Sequence, residues 1–183
     1  MSWSRIARRT RVPLGFVLAV LYWWLAHPTA WSIVAGAALA AAGLCIRAYA
    51  SGHVRKNENL ATTGPYALTR NPLYLGSVVI AGGFAVAARS WPVVVLLALM
   101  FLAVYLPVIR GEEAYLRERF PEFAEYERRV PRLIPRVREL FSRSRDSSGE
   151  FSRDLYLQHR EYQAAAGTLA MIVSLCLKFL GKR

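Results

Sequence analysis

Two adjacent carboxylates, Glu112 and Glu113, follow closely on a long apolar run that ends at Ile109. Charged groups at the edge of the hydrocarbon region of a membrane are costly unless a cation matches them. The sequence therefore predicts a cationic partner for this pair, either an internal arginine or the ammonium group of a ligand. The neighbouring Arg110 is suited to hold a carboxylate ligand, because a guanidinium group binds carboxylates through two parallel hydrogen bonds.

A second polar stretch lies directly ahead of another apolar run. It contains two turn signals, Gly64-Pro65 and Asn71-Pro72, and the second proline suits the first position of a helix. Free backbone N–H groups at a helix start, with Arg70 beside them, favour binding of a carboxylate or a phosphate. For Arg70 alone, a positive charge at the cytoplasmic membrane surface is the more ordinary interpretation.

The apolar runs decide the class of protein. Hydrophobic residues make up 55% of the 183 residues and are concentrated in long blocks, which predicts an integral membrane protein with a single domain. We expect an all-α fold of about five transmembrane helices, in which short connections join the first four into two tight antiparallel hairpins and a C-terminal helix follows. The predicted ranges are 12–26, 31–50, 73–88, 91–109 and 163–180.

The charge distribution predicts the orientation in the membrane. The net charge is +12, from 24 basic and 12 acidic residues, and most of the excess lies in short segments beside the apolar blocks. This agrees with the positive-inside rule and argues against a nucleic-acid partner. We expect the N-terminus and segments 51–72 and 110–162 on the cytoplasmic side, with the N-terminus retained as a first helix. A complete last crossing would place Lys178, Lys182 and Arg183 outside, so the topology of that helix stays open.

Several kinds of site are excluded by composition. Cys45 and Cys176 lie far apart in apolar blocks, which leaves no disulfide framework and no structural zinc or other metal site. No glycine-rich loop follows a strand-like segment, so a Rossmann cofactor cradle is also excluded. We divide the single membrane domain into an N-terminal helical hairpin (1–50), a core (51–141), and a linker with the C-terminal helix (142–183). Glycines in the second and third helices predict close helix packing.

Taken together, the polar motifs resemble those of the isoprenylcysteine carboxyl methyltransferase family and the related membrane phospholipid methyltransferases. The shared pieces are Gly-Pro-Tyr from residue 64, Arg-Asn-Pro-Leu-Tyr from residue 70, Glu-Glu from residue 112 and Phe-x-x-Tyr-x-x-x-Val-Pro-Arg-x-x-Pro from residue 123. The resemblance covers about residues 43–136. It implies a small membrane enzyme that binds S-adenosylmethionine at its cytosolic face and takes a lipophilic substrate sideways from the bilayer.

By this resemblance the core is the methyltransferase region and its loop holds the cofactor. The implied cofactor-binding residues are Leu60, Thr63, Gly64, Pro65, Tyr66, Arg70, Asn71, Pro72, Tyr74, Glu112 and Glu113. One of the two glutamates would take the cofactor's ammonium group, and Arg110 and Glu113 are the predicted catalytic residues. Family members commonly have His at the position of Asn71. If that His mainly hydrogen-bonds the cofactor or the backbone, Asn can substitute for it; if it shuttles a proton, this chain has a different substrate or none.

The class of the methyl acceptor stays open. A carboxylate is already nucleophilic and needs only a positioning cation such as Arg110, which favours carboxyl methylation. An amine or thiol, including a phospholipid head group, must first lose a proton. The histidines are poor candidates for that base, because His27 is predicted on the far side, His53 precedes the motif loop and His159 stands before the last helix.

Two other classes of function compete with an enzyme. A transporter or channel normally places ionisable residues or broken helices near the middle of the membrane, whereas here they cluster at one face. A non-catalytic scaffold would use segment 110–162 to dock partners and would tolerate substitution of Arg70, Glu112 and Glu113. The joint spacing of the polar motifs favours the methyltransferase.

Overall fold

The structure is a computed structural model that describes residues 3–53, 59–135 and 151–181, with side chains from residue 13 onward. Every regular element in these ranges is helical, which confirms the predicted all-α class. The predicted linker at the start of segment 142–183, and the tail residues Lys182 and Arg183, lie outside the described residues. The helices are α1 (Trp3–Leu25), α2 (Ala30–Ser51), α3 (Pro72–Ala88), α4 (Trp91–Met100), α5 (Leu106–Arg119), α6 (Phe123–Arg129), α7 (Arg153–Gln158) and α8 (Tyr162–Leu180).

The helices follow the predicted apolar runs. A π-helical segment, Phe101–Tyr105, joins α4 to α5, so that Trp91–Arg119 is one continuous helix. Three helices are long and apolar enough to cross a membrane, namely α2, this continuous helix and α8. The apolar part of α1 (Pro13–Leu25) and α3 are shorter. The described chain thus has the helices of a multi-pass membrane protein, and the fivefold crossing stays a prediction.

The packing of the helices differs from two tight hairpins. The connections at residues 26–29 and 89–90 are as short as predicted. However, α1 packs mainly against α4, α5 and the π-helical segment between them, and the most extensive helix pair is α2 with α3. The reason is the shape of the surfaces, because the small residues of α2 fit the glycines of α3 more closely than the bulky side chains of α1.

Reciprocal glycine contacts bring α2 and α3 together in an antiparallel register. A Cβ atom added at Gly43 would lie 2.7 Å from the carbonyl oxygen of Gly76, and one added at Gly76 would lie 2.8 Å from that of Gly43. Gly36 and Gly83 face each other in the same way further along the pair. Helix backbones can approach this closely only where Cβ atoms are absent. The predicted packing role of the small residues is confirmed.

We expect Gly43→Ala to destabilise the protein by about 1–3 kcal/mol, because the added methyl group overpacks the α2–α3 contact. The matched control is Gly167→Ala in α8, where an added Cβ would meet nothing within 4 Å. Thermal unfolding of the detergent-purified variants, followed by tryptophan fluorescence, measures the difference. Equal transition midpoints for the two variants would contradict the close α2–α3 packing.

The last helix packs against α2 and the end of α1. Glu161, at the start of α8, contacts Arg47 near the end of α2. At the other end, the Lys178 ammonium donates to the carbonyl oxygens of Trp23 and Trp24, where α1 ends. These two anchors place the beginning of α8 beside the motif loop and its end at the opposite end of the bundle.

Candidate functional site

A cavity of about 1100 Å³ lies where the motif loop, α3, α5, α6 and the start of α8 meet. Its polar end is lined by the loop and by α5, while Ile80, Ala81, Phe84 and Leu97 line an apolar end. Pockets for drug-sized ligands have volumes of about 300–1000 Å³. The cavity therefore has room for a cofactor together with part of a second ligand.

Glu113 is the buried centre of the polar end. It is only 3% exposed, and its Oε1 accepts a hydrogen bond from Asn71 Nδ2 at 3.1 Å. Its Oε2 lies 2.9 Å from both Nε and Nη2 of Arg132, and Arg70 Nη2 lies 3.6 Å from Oε1. The cationic partner predicted for the glutamate pair is thus internal in the case of Glu113, and two arginines provide it.

Arg70 carries a buried donor that lacks a partner. Its Nη1 lies 2.7 Å from Glu127 Oε1, and its guanidinium carbon is 6.0 Å from the centre of the Phe123 ring. The buried Nε donates no hydrogen bond to any described atom. An unsatisfied buried donor costs about 1–3 kcal/mol. Because Arg70 lines the cavity, its Nε is available to an acceptor atom of a bound ligand.

Glu112 differs from Glu113 in its surroundings. It lines the cavity and is half-buried, and its Oε1 accepts a hydrogen bond from the Tyr74 hydroxyl at 3.0 Å. Within the described ranges it forms no salt bridge. A carboxylate held in place on a cavity wall without an arginine partner is suited to bind a ligand cation.

The two halves of the motif pattern are hydrogen-bonded to each other. Thr69 Oγ1 and Asn71 Nδ2 both donate to the Arg132 carbonyl oxygen, at 3.1 and 3.0 Å. The Arg70 backbone N–H donates to the Pro131 carbonyl at 2.9 Å. Prolines 131 and 135 exclude a helix here, so the backbone of this segment is free to pair with the loop. These contacts explain why the loop motif and the Val-Pro-Arg motif occur together.

Tyr66 lines the cavity as a neutral phenol. Its carbonyl oxygen accepts a hydrogen bond from the Tyr126 hydroxyl at 2.7 Å. Burial raises the pKa of the Tyr66 phenol, and the nearby Tyr126, Glu112 and Glu161 raise that pKa further. Carboxylates from two walls of the cavity, Glu112 in α5 and Glu161 at the start of α8, therefore both raise the pKa of the Tyr66 phenol.

An ion pair that we did not predict forms part of the opposite wall. Arg47 Nε and Nη2 donate to the two carboxylate oxygens of Glu161, both at 2.9 Å. Arg47 Nη1 donates to Ser77 Oγ at 2.6 Å and to the Leu73 carbonyl at 3.2 Å. From the sequence alone, Arg47 counts only as one of the positive charges beside an apolar block. Its place within an otherwise apolar helix was the available signal, because such residues are normally paired and functional.

The relation to known proteins follows from a family comparison. A family model described as phospholipid methyltransferase matches residues 10–122. This chain belongs to the phospholipid methyltransferase family. That family is related to the isoprenylcysteine carboxyl methyltransferases, so the resemblance seen in the motifs is confirmed. The match ends before the Val-Pro-Arg segment, α7 and α8.

Two relatives of this chain have names that refer to metal resistance. The chain is 40% identical over 136 residues to the cobalt-zinc-cadmium resistance protein CzcN of Cupriavidus metallidurans, which covers 69% of this chain and 62% of the relative. It is 43% identical over 89 residues to the nickel-cobalt-cadmium resistance protein NccN of Alcaligenes xylosoxydans xylosoxydans, covering 49% of this chain and 41% of the relative. The aligned regions thus span less than two thirds of either relative. No solved structure matches the chain.

In this family member, most of the predicted cofactor residues line one cavity. They are Leu60, Tyr66, Arg70, Asn71, Pro72, Tyr74, Glu112 and Glu113. Thr63, Gly64 and Pro65 do not line it; Thr63 caps, and Gly64 and Pro65 begin, the short 3-10 helix Gly64–Ala67 that contains Tyr66. Gly64 has a left-handed backbone with φ of 56°, and a Cβ there would lie 2.6 Å from the His53 ring. These three residues position the loop.

Arg110, which we predicted to position the methyl acceptor, lies away from the cavity. Its side chain is exposed and is not part of the cavity wall, although it stands only two positions before Glu112 in α5. Adjacent helical positions point about 100° apart, so residues 110 and 112 face different directions. A contact between Arg110 and an acceptor stays a prediction.

The pH dependence of stability has a component from Glu127. Hydrogen bonds from Arg117 and Arg70 hold the pKa of Glu127 below its ordinary value of 4.5. Because the pKa is lower in the folded protein than in the unfolded chain, the carboxylate stabilises the fold above about pH 4.5, and this contribution is lost as the pH falls further. We expect Glu127→Gln to reduce stability at neutral pH. When the thermal unfolding midpoint is plotted against pH, we expect it to fall less steeply for this variant than for the wild type below about pH 4.5. Parallel curves for the wild type and the variant would contradict this role.

Proposed function

We propose that this protein is a membrane methyltransferase that uses S-adenosylmethionine to methylate a lipophilic acceptor at the cytoplasmic face. The main support for this proposal is the environment of Glu112. This carboxylate lines a large cavity beside Tyr74 and has no salt bridge among the described residues. In a chain of a methyltransferase family, such a group is suited to hold the ammonium of the cofactor.

The residues of the cavity fit the chemical groups of S-adenosylmethionine. Glu112 would bind the ammonium group, and the unpartnered Nε of Arg70 would donate to the carboxylate. Tyr66 and Phe123 offer aromatic surfaces and Leu60 an aliphatic one for the adenine. When bound, the cofactor supplies an electrophilic methyl group. The role that we propose for the protein is therefore to bind and orient the cofactor and the acceptor.

The chain contributes rigidity to this site. Asn71 and Arg132 fix Glu113, and the loop and the Val-Pro-Arg segment are joined through backbone carbonyls. Holding two reactants in a near-attack arrangement can supply about 7–11 kcal/mol of the barrier reduction. We propose that this positioning, without a covalent enzyme intermediate, accounts for most of the catalysis.

The apolar end of the cavity supports a lipophilic acceptor. Ile80, Phe84 and Leu97 lie on α3 and α4, the apolar helices that lead away from the polar end. We propose that the acceptor enters from the bilayer and brings its reactive group to the polar end of the cavity. Carboxyl methylation of an isoprenylcysteine-type acid, and N- or S-methylation of a phospholipid or another small molecule, are the two alternatives.

Methyl transfer to an extractable acceptor tests the proposed function. Membranes from cells that produce the protein are incubated with radiolabelled S-adenosylmethionine, and label in the organic extract is counted. We expect label with the wild type, a loss of at least about tenfold with Glu112→Gln, and no loss with Glu118→Gln, an exposed glutamate in the same helix. Equal labelling by the Glu112 variant would contradict the proposed cofactor site.

A physiological role is suggested by the names of the relatives. Because the chain is 40% identical to a protein named for cobalt, zinc and cadmium resistance, we propose that its methyl transfer supports growth in the presence of such metals. Growth of a deletion strain complemented with the wild type or with Glu112→Gln, on graded cobalt, zinc and cadmium salts, tests this. Equal growth of the two strains would contradict a role of methyl transfer in resistance.

A further inference from the structure

The wall of the cavity opposite the glutamate pair comes from a segment beyond the family match. The match ends at residue 122, whereas the cavity is also lined by the turn after α7 and the first half of α8. The residues of this C-terminal wall are His159, Arg160, Glu161, Gln163, Ala164 and Thr168. Since the proposed cofactor groups lie on the loop and on α5, this wall is placed to face the acceptor.

His159 presents a defined ring nitrogen on this wall. Its Nδ1 lies 2.6 Å from the Leu155 carbonyl oxygen. A carbonyl oxygen only accepts hydrogen bonds, so in the neutral ring this contact assigns the proton to Nδ1 and the lone pair to Nε2. The next residue, Arg160, has a left-handed backbone with φ of 53°, a conformation that is uncommon outside glycine. The turn therefore holds His159 at the cavity between two fixed helices.

The other groups that could take a proton are already committed. Glu113 and Glu161 are paired with arginines, and Glu112 is assigned to the cofactor's ammonium group. The Tyr66 phenol stays protonated because burial raises its pKa, and Asn71 uses its amide to bind Glu113 and the Arg132 carbonyl. Among the described residues that line the cavity, His159 is the one histidine.

We propose that His159 is the general base for an acceptor that reaches the cavity carrying a proton, namely a lipophilic thiol or amine. The inference rests on the proposed methyl transfer. The acceptor heteroatom forms its bond to the methyl carbon while the methyl–sulfonium bond breaks, and the electron pair of that bond stays on sulfur. The acceptor proton passes to His159 Nε2 and then to water. The product is a methyl thioether or a methylamine.

The depth of the apolar end suggests suitable probe acceptors. Ser77 and Phe84 both line the cavity and lie seven residues apart on α3. At a rise of 1.5 Å per residue this corresponds to about 10 Å, which an extended octyl chain spans. The probes are therefore 1-octanethiol, octylamine and octanoate, which share one tail and differ in the reacting group.

The test compares the three probes in vesicles of phosphatidylcholine that contain the full-length protein. We expect methyl octyl sulfide or N-methyloctylamine from the wild type, identified by mass spectrometry, and little methyl octanoate. In His159→Ala we expect kcat to fall by about 100-fold or more with KM unchanged, because this is the range of general base catalysis. Affinity for S-adenosylhomocysteine, measured by calorimetry, should be unchanged, and added imidazole should restore part of kcat. Gln158→Ala, at an exposed neighbouring position, is the matched control.

Several outcomes would overturn the inference. One is preferred methylation of octanoate that depends on Arg160, the exposed guanidinium on the same wall, and not on His159. Another is turnover in His159→Ala that equals that of the wild type, and a third is no methylation of any probe by protein that binds S-adenosylhomocysteine. Failure of the wild type to bind S-adenosylhomocysteine would instead overturn the proposed function.

Discussion

Glu113→Gln is expected to destabilise the protein by about 1.5–3 kcal/mol, the range for hydrogen bonds to charged groups, and to abolish cofactor binding, because Arg132 loses its carboxylate partner and Arg70 keeps only Glu127. Arg70 and Arg132 both contact this carboxylate, which is 3% exposed. The thermal midpoint and the affinity for S-adenosylhomocysteine of the purified variant measure the two effects. Glu118→Gln, on the exposed face of the same helix, is the control for the loss of one negative charge.

A second variant separates structure from ligand contact at this position. If Glu113 acts through the arginines that it holds, Glu113→Asp should retain part of the stability and lose much of the binding, because its shorter side chain keeps the charge but moves it. If Glu113→Gln matched the wild type in thermal midpoint and in affinity for S-adenosylhomocysteine, Glu113 would not hold the groups of this site in place. The resemblance left open whether Glu112 or Glu113 takes the cofactor's ammonium group; the contacts of Glu113 with Arg70 and Arg132 favour Glu112 for that role.

Reversing the charge at Glu161 is expected to release the start of α8 from the bundle. Glu161→Arg would place a second guanidinium beside Arg47, which now forms two hydrogen bonds to this carboxylate. We expect backbone amides of residues 162–170 to exchange hydrogen at least about tenfold faster, as a loss of about 1.4 kcal/mol of local stability would produce. Methyl transfer should fall as well, because the C-terminal wall of the cavity would move.

The double variant provides the decisive comparison. Arg47→Glu combined with Glu161→Arg restores opposite charges and should recover much of the protection, although Ser77 would lose its guanidinium donor. Glu125→Arg in the exposed pair Glu125–Arg129 is the control, because exposed ion pairs contribute little. Unchanged exchange in Glu161→Arg would show that the ion pair does not anchor α8.

The helices were predictable because the physical constraint acts locally. A segment that crosses hydrocarbon must satisfy its own backbone hydrogen bonds, so each long apolar run becomes a helix whatever its neighbours are. The partners of these helices were less predictable. The short connection at residues 26–29 suggested that α1 would pack along α2, but α2 uses its glycine face to pack against α3 instead.

The candidate site was predictable where the chain carries a spaced motif. The loop with Arg70, the glutamate pair and the Val-Pro-Arg segment do meet, as their joint occurrence suggested. Arg47 and Glu161 lie 114 positions apart, and nothing in the sequence around either residue indicates that the two form an ion pair. For the same reason the place of His159 beside the cavity was not predictable, since it depends on how α8 docks.

Calorimetric titration of the detergent-purified protein with S-adenosylmethionine and S-adenosylhomocysteine measures whether the cavity binds the cofactor. We expect saturable micromolar binding of both ligands by the wild type, retained in Glu118→Gln and lost in Glu112→Gln, with the thermal midpoint of the latter close to that of the wild type. Absence of binding to folded wild-type protein, in detergent and in lipid, would contradict the cofactor site, and so would wild-type affinity in Glu112→Gln.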